Sequence, residues 1–286
     1  MLGTMPRKTA AGRIKLSVLG QVSSASRLLR QIARRLTFAP PAVTPQQRRD
    51  FARDGFLCID PQVPDKLIER ITDDLDGKHH RVAPGTPGYP FTHRIQDAWK
   101  FSKAVRRLVV WPRVLQILRE LYGREPLPFQ SLNFPVGTEQ KVHSDAIHFN
   151  TMPAGWMCGV WYALEDIDEN NGPLVYYPGS HKLREYTLED IPVEVVPGTY
   201  QNYHYYERFV ENLIRTHKLQ PRHATMRKGQ AFIWSSNLLH GGSPRRDLNR
   251  SRHSQVNHYF FKGCQYYTPL WSTRERVFWR DPNWVR

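Results

Sequence analysis

The chain has 286 residues, 40% of them hydrophobic and 23% charged, with a mean hydropathy of −0.58. That is enough for one large domain or two small ones and too apolar for a mainly disordered chain, and no apolar run approaches the ~20 residues of a membrane-spanning helix. Three cysteines (Cys58, Cys158, Cys264) lie far apart, forming neither a disulfide framework nor a CxxC zinc site, which predicts reduced thiols in a cytoplasmic setting. The net charge of +15 is uneven: residues 1–49 hold ten Lys or Arg and no Asp or Glu, leaving 31 basic and 26 acidic residues in the rest. The body is therefore mildly basic, and no nucleic-acid partner is expected from the charge alone.

Residues 14–36 have helical periodicity, with Ile14, Val18, Val22, Ala25, Leu29, Ile32 and Leu36 in one stripe and Arg27, Arg30 and Arg34 on the other side. Three readings stay open: a surface helix packed on the body, a basic amphipathic helix peripheral to an anionic membrane, and an organelle-targeting peptide. Residues 1–43 thus form a basic extension ending in a stiff Pro-containing linker at 38–43, and residues 44–286 a single domain. Within it, 44–125 are helical support. Thr44 is an N-cap with Pro45 at N1, and the helix after it ends near Gly55. A short strand at 56–59 and a helix at 65–75 follow. Residues 79–90 read as a loop. A strong helix at 104–122 is interrupted at Trp111-Pro112 and closed by Gly123.

From residue 127 the period changes. Strand-like runs at 130–135, 146–151, 157–164, 174–178, 230–234 and 255–261 alternate with turn residues over 127–262, predicting a mainly β domain, a barrel or jelly roll with flanking helices. An insert at about 183–227 carries Tyr203, Tyr206, Val210 and Leu213 at helical spacing and has the length of a lid or binding loop. The tail 263–286 contains Trp271, Trp279 and Trp284 and is expected to pack against the body.

His143-Ser144-Asp145 lies between two strand-like runs. Residues i and i+2 of an extended chain share a face, so His143 and Asp145 can offer a nitrogen and an oxygen to one ion. His240, at the end of an apolar run and before Gly241-Gly242, is the best third ligand. Two histidines and a carboxylate on one face of a metal leave open positions, the ligand type of non-haem Fe(II) oxygenases. His148 is a rival ligand, placed lower because an extended 146–150 would turn it to the other face. His79-His80 reads as a loop pair. Arg252 opens an alternating apolar run twelve residues after His240, where its planar fork suits a carboxylate.

With these pieces in order, the sequence resembles the phytanoyl-CoA dioxygenase-like family of Fe(II)/2-oxoglutarate-dependent oxygenases. The matching blocks are RRDFARDGFLCI (48–59), HSDAIHF (143–149), GVWYALEDIDENNGPLVYYPGSHK (159–182) and LLHGGSPRRDLNRSRHSQVNHYF (238–260). The resemblance implies a double-stranded β-helix of the jelly-roll or cupin-like kind, with Fe(II), 2-oxoglutarate and O2 as cofactor and cosubstrates. It implies His143, Asp145 and His240 as catalytic metal ligands. Arg252 and Ser254 would hold the distal carboxylate of 2-oxoglutarate, with Trp161 beside it. Related halogenases carry a small residue where this chain has Asp145, so the resemblance implies hydroxylation or another oxidation. Residues 1–40 and the tail lie outside the matched pattern.

The expected substrate is a small molecule, met by the loop 79–93, the insert and the barrel mouth. These bring Tyr89, Phe91, Tyr200, Tyr203, Tyr205 and Tyr206 together with Arg81, Arg94, Lys182 and Arg184, a composition suited to an amphiphile or an anion. Nothing implies an obligate protein partner. The competing hypothesis is a non-catalytic barrel that binds membrane or nucleic acid through its basic extension.

Overall fold

Thr44 opens the first helix as its sequence predicts. The computed structural model describes residues 41–78 and 94–286; the expectations for 1–40 and for the loop, with Arg81, Tyr89, Phe91 and His79-His80, lie outside them. In α1 (Pro45–Asp54) the Thr44 hydroxyl accepts from Gln47 N, the Gln47 side chain returns the bond, and Gly55 closes the helix at φ 81°. The linker ends firmly: the backbone N–H groups of Ala42 and Val43 both donate to the Glu120 carboxylate, at 2.8 and 3.0 Å.

Strand β1 (Phe56–Ile59) and helix α2 (Asp65–Leu75) follow, the helix burying Leu67, Ile68, Ile71 and Leu75. A two-residue strand β2 (Ile95–Gln96) leads to the broken helix: α3 (Lys103–Val109) stops before Trp111, and α4 (Pro112–Tyr122) begins at Pro112 and ends on Gly123 at φ 67°. Proline has no N–H to continue α3 but fits the first position of α4.

The remaining strands are β3 (Pro126–Phe134), β4 (Asn150–Met152), β5 (Met157–Ala163), β6 (Leu174–Tyr176), β7 (Arg222–Ala224), β8 (Ala231–Ser235), β9 (His240–Gly242), β10 (Ser254–Phe261) and β11 (Gln265–Tyr267). A six-stranded antiparallel sheet runs β1-β8-β5-β10-β3-β2, a smaller one β7-β6-β9, and β11 pairs with β4. Leu132, Phe134, Trp161, Phe232, Trp234 and Val256 of the large sheet share one apolar core with Tyr176 and Ala224 of the small one, so the two sheets face each other as a jelly roll. The alternate residues point the other way. Cys158, Val160, Tyr162, Ile233, Tyr259 and Phe261 join α2, α3 and α4 in a second core.

That second face carries polar groups for a reason. Gln255 and Asn257 donate to the carbonyls of Val105 and Leu108, both at 3.5 Å, and Tyr259 donates to Val109 O at 2.7 Å. Tyr259 thus supplies the Val109 carbonyl, at the end of α3, with the donor that a helix terminus leaves missing.

Two expected strands differ. The first begins four residues earlier than 130, despite Pro126 and Pro128; Pro128 faces Tyr259 at the β10 register shift, where a ladder donor is dispensable. Residues 146–151 are mostly not a strand. Ser144 Oγ accepts from Ala146 N at 3.1 Å and nucleates a 3-10 turn over Asp145–Ile147, so only Asn150–Met152 is extended. The insert contains α5 (Tyr203–Thr216), which buries Tyr203, Tyr206 and Val210. The tail packs as expected, through Tyr266, Leu270, Trp284 and Val285. The three cysteines are unpaired.

Candidate active site

The metal-type cluster is built by a backbone pairing. His143 N donates to His240 O and His240 N to His143 O, both at 2.9 Å, so the two histidines lie side by side with ring centroids 4.6 Å apart. The glycines after His240 allow this approach. A Cβ on Gly241 would stand 2.7 Å from Gln140 O, and one on Gly242 2.7 Å from Glu139 N. Ser180, within the PGSHK block, accepts from Leu239 N at 2.9 Å and so fixes the residue before His240.

His143, Asp145 and His240 are all buried, and one ligand-type atom from each lies within 4.8 Å of the others. Nδ1 of His143 faces Lys141 O and Nδ1 of His240 faces Leu238 O, each at 2.9 Å. A carbonyl can only accept, so each Nδ1 carries a proton and each ring turns its Nε2 toward Asp145. Burial, against the pull of the Asp145 charge, pushes the His240 imidazole down to about 4, which keeps it neutral. Asp145 Oδ1 is 3.6 Å from His143 Nε2 and 3.9 Å from His240 Nε2. Its other oxygen accepts from Trp234 Nε1 at 2.8 Å. Burial opposes the charge on Asp145, but His240, His143 and His258 around it hold the carboxyl well below its ordinary range. A deprotonated oxygen beside two imidazole Nε2 atoms fits a divalent transition ion.

Trp234 occupies this place because its cross-strand partner is Gly159; a Cβ there would come within 2.3 Å of the indole. Neither residue stands out in the sequence as part of the site.

Arg252 enters the same cavity from the residue row that ends in β10. Its Nη1 donates to Ser254 Oγ at 2.7 Å and its Nη2 to Val136 O at 3.3 Å. The guanidinium lies 5.2 Å from the Trp161 ring and 5.9 Å from the Phe134 ring. It makes no ion pair among the described residues, and its Nε is buried without a hydrogen-bond partner. Burial lowers it to about 10, partly offset by Glu165, so the buried cation persists at neutral pH. An unpaired buried cation with an unused donor fits a carboxylate ligand.

Alternation along β10 carries Arg252, Ser254, Val256 and His258 onto one side. His258 Nε2 stands 3.5 Å from Asp145 Oδ2, and Nδ1 bonds Gln130 Oε1 at 2.8 Å. The signal for His258 was available: it lies six residues beyond Arg252 in a period of two. His148 does not turn away from the site, because the 3-10 turn replaces the extended chain assumed for it. Its ring lies 5.8 Å from that of His143 and its Nε2 bonds Tyr203 Oη at 3.1 Å. It is outside the ligand cluster, yet it lines the cavity.

The cavity has a volume of about 340 Å³ and takes in the cluster, Trp161 and Arg252 together. Of the residues expected around the substrate, Arg94 and Tyr200 line it. Tyr203 and Tyr206 are core residues of α5 whose hydroxyls meet His148 and Ser144 N. Tyr205, Lys182 and Arg184 are exposed, and Arg184 pairs with Asp190. Trp271 and Arg280 of the tail line the cavity, which the sequence did not suggest.

Comparison with known proteins agrees with this geometry. A family model described as Phytanoyl-CoA dioxygenase (PhyH) matches residues 51–254. The peroxisomal phytanoyl-CoA dioxygenase of Homo sapiens is 24% identical over 97% of this chain and 85% of its own length. An ectoine dioxygenase of Bordetella bronchiseptica is 30% identical over 49% of this chain and 50% of its own length. Among solved structures, the non-heme alpha ketoglutarate dependent carbocyclase SnoK from nogalamycin biosynthesis superposes with a TM-score of 0.63 at 17% identity, covering 80% of this chain and 89% of its own. EctD from S. alaskensis with 2-oxoglutarate and 5-hydroxyectoine gives 0.62 at 17% identity, covering 86% of each chain. The jelly roll is thus shared with these structures, and the chain belongs to the phytanoyl-CoA dioxygenase family.

Proposed function

We propose that this oxygenase hydroxylates a C–H bond of a small-molecule or lipid-like metabolite, consuming O2 and 2-oxoglutarate and releasing succinate and CO2. One oxygen atom of O2 goes to the product alcohol and the other to succinate. The observation that carries the reading is one cavity joining two imidazoles and a carboxylate to a buried Arg252 that makes no ion pair among the described residues.

On this reading His143, Asp145 and His240 hold Fe(II). Arg252 and Ser254 grip the far carboxylate of 2-oxoglutarate, and Trp161 forms a wall beside it. Bound iron supplies the redox chemistry and the open positions at which 2-oxoglutarate and O2 meet. The protein holds Asp145 as a carboxylate and His240 as a neutral imidazole, orients Asp145 through Trp234, and walls the site with aromatic rings. An intact Asp145 supports hydroxylation over halogenation. The ligand cluster and cavity give no support to the alternative of a barrel without catalysis.

Succinate formation from 2-oxoglutarate, with and without Fe(II), tests the reading across a panel of candidate metabolites. Iron-dependent succinate that rises with one metabolite, together with its oxygenated product, is the expected result. No iron-dependent succinate from properly loaded protein would overturn it.

A further inference from the structure

Away from Arg252 and the metal-type cluster, the helices behind the large sheet enclose a second recess. A groove of about 810 Å³ runs between α2 and α3. Lys66, Arg70 and Lys78 line it from α2 and the residues just after it, and Lys103 and Arg107 from α3. Asp74 is the one carboxylate among its described lining residues, and it is already engaged. One Asp74 oxygen accepts from Ser102 Oγ, the hydroxyl that caps α3, at 2.6 Å, and the other from Arg70 Nε at 2.8 Å. Lys66, Lys103 and Arg107 make no ion pair with a described residue. The buried Leu67 and Ala104 give the groove an apolar base. The Phe101 ring, 54% exposed, lines it as well, with the Lys78 ammonium 5.7 Å from its centre.

Helix α2 keeps its charges apart. Lys66, Arg70 and Asp74 repeat every four residues along the stripe that meets the groove, while Asp65, Glu69 and Asp73 hold the adjoining stripe, about 100° around the helix. Asp65 and Glu69 face Lys228 instead, at 3.6 and 3.5 Å. Residues 1–40 and 79–93, outside the described ones, contain no Asp or Glu and bring no carboxylate to the groove. Cations four residues apart on a helix are about 6 Å apart along its axis. Alternate side chains of an extended chain are about 6.6 Å apart. Lys66 with Arg70 on one wall, and Lys103 with Arg107 on the other, thus match Asp or Glu at every second position of an extended segment.

We infer that this groove docks an extended acidic peptide segment of a partner protein, with alternate carboxylates on the two cation pairs and an apolar side chain against Phe101. A bilayer leaflet or a nucleic-acid duplex is a poorer match, because surfaces that broad would also meet the acidic stripe of α2, and the chain beyond residue 49 is only mildly basic. None of the groove residues lines the cavity that holds Asp145 and Arg252, so the docking role stands apart from the oxygenase reading.

Fluorescence anisotropy on the full-length protein tests this, using a short labelled peptide that alternates Glu with Leu and Phe, its Gln counterpart, labelled single-stranded oligo(dT), and phosphatidylserine vesicles as a competitor. The wild type should bind the Glu peptide about 10-fold or more tightly than the Gln peptide, the scale of a few exposed ion pairs. High salt should remove most of that preference. Lys66→Gln combined with Lys103→Gln should abolish it, and Phe101→Ala should weaken binding of the Glu peptide. Arg27→Gln combined with Arg30→Gln, in the basic extension, should change neither. The groove variants should keep wild-type 2-oxoglutarate affinity, so that a loss of peptide binding reports the groove and not the fold. Equal binding of the two peptides, binding of neither, or a preference that survives the groove variants would overturn the assignment. So would oligo(dT) or vesicles that bind more tightly than the Glu peptide and lose that binding in the groove variants.

Discussion

Arg252 and Trp234 show what single side chains contribute. Arg252 is a cation held at low exposure by Ser254 Oγ and Val136 O, neither of which neutralises it. Removing one member of a buried charge pair costs ~2–5 kcal/mol, so Arg252→Ala should weaken 2-oxoglutarate binding roughly 30- to several-thousand-fold. Arg250, already paired with Asp168 at 2.8 Å, should be replaceable by Ala with little effect. Calorimetric titration of both variants measures this, and similar losses in the two would remove Arg252 as the anchor. Trp234 acts through Asp145. Trp234→Phe keeps most of the ring and deletes the 2.8 Å donor, so iron affinity should drop about 10- to 100-fold, the usual cost of losing a group that orients a metal ligand. Gly159→Ala should shift iron affinity the same way, because its Cβ would meet the indole, and should also lower the melting temperature. His143, Asp145, His240 and Arg252 could be picked from the sequence by residue type and order. Trp234, Gly159 and Gln130 could not, since a tryptophan, a strand glycine and a glutamine acquire their roles only from cross-strand neighbours.

At the scale of elements, legibility followed length and periodicity. The helices at 45–54 and 65–75, the break at Pro112 and strands β5, β8 and β10 all have strong local signals. In the small sheet only β6 has such a signal, the 174–178 run between turn residues; β7 and β9 have three residues each, too few for a period of two to show, and are fixed by pairing with β6. The misread 146–151 segment is a case of local chemistry overriding an apolar pattern, because the Ser144 hydroxyl captures Ala146 N and turns the chain. Strand β10 serves both sides of the large sheet, the site on one and α3 on the other. Tyr259→Phe should therefore lower stability by about 1–3 kcal/mol, because a buried Val109 carbonyl loses its 2.7 Å donor, while 2-oxoglutarate affinity stays unchanged. Urea midpoints and a 2-oxoglutarate titration of the same variant would separate these effects; a stability loss absent from the urea curves would contradict the assigned role.

For the whole molecule, the buried histidines tie folding to pH. Burial holds His148 down to about 3 and His240 to about 4. An unfolded chain would protonate both near 6.5. Between those values the unfolded state binds more protons, so stability is fully present above pH 6.5 and is lost as the pH falls toward 4. Asp145, also depressed, adds loss in the same direction below its ordinary range. Metal-free protein should thus lose stability on the order of a few kcal/mol between about pH 6.5 and 4. His148→Gln should flatten the slope of melting temperature against pH; an unchanged slope would show that His148 does not stay neutral in the fold. No helix among the described residues is long and apolar enough to cross a membrane.

The metal content of ligand variants tests the central claim most directly. Protein reconstituted with Fe(II) under nitrogen and desalted should retain one iron per chain, while His143→Ala, Asp145→Ala and His240→Ala should each lose it and still show a cooperative melt. Full iron occupancy in His143→Ala and His240→Ala would contradict the account.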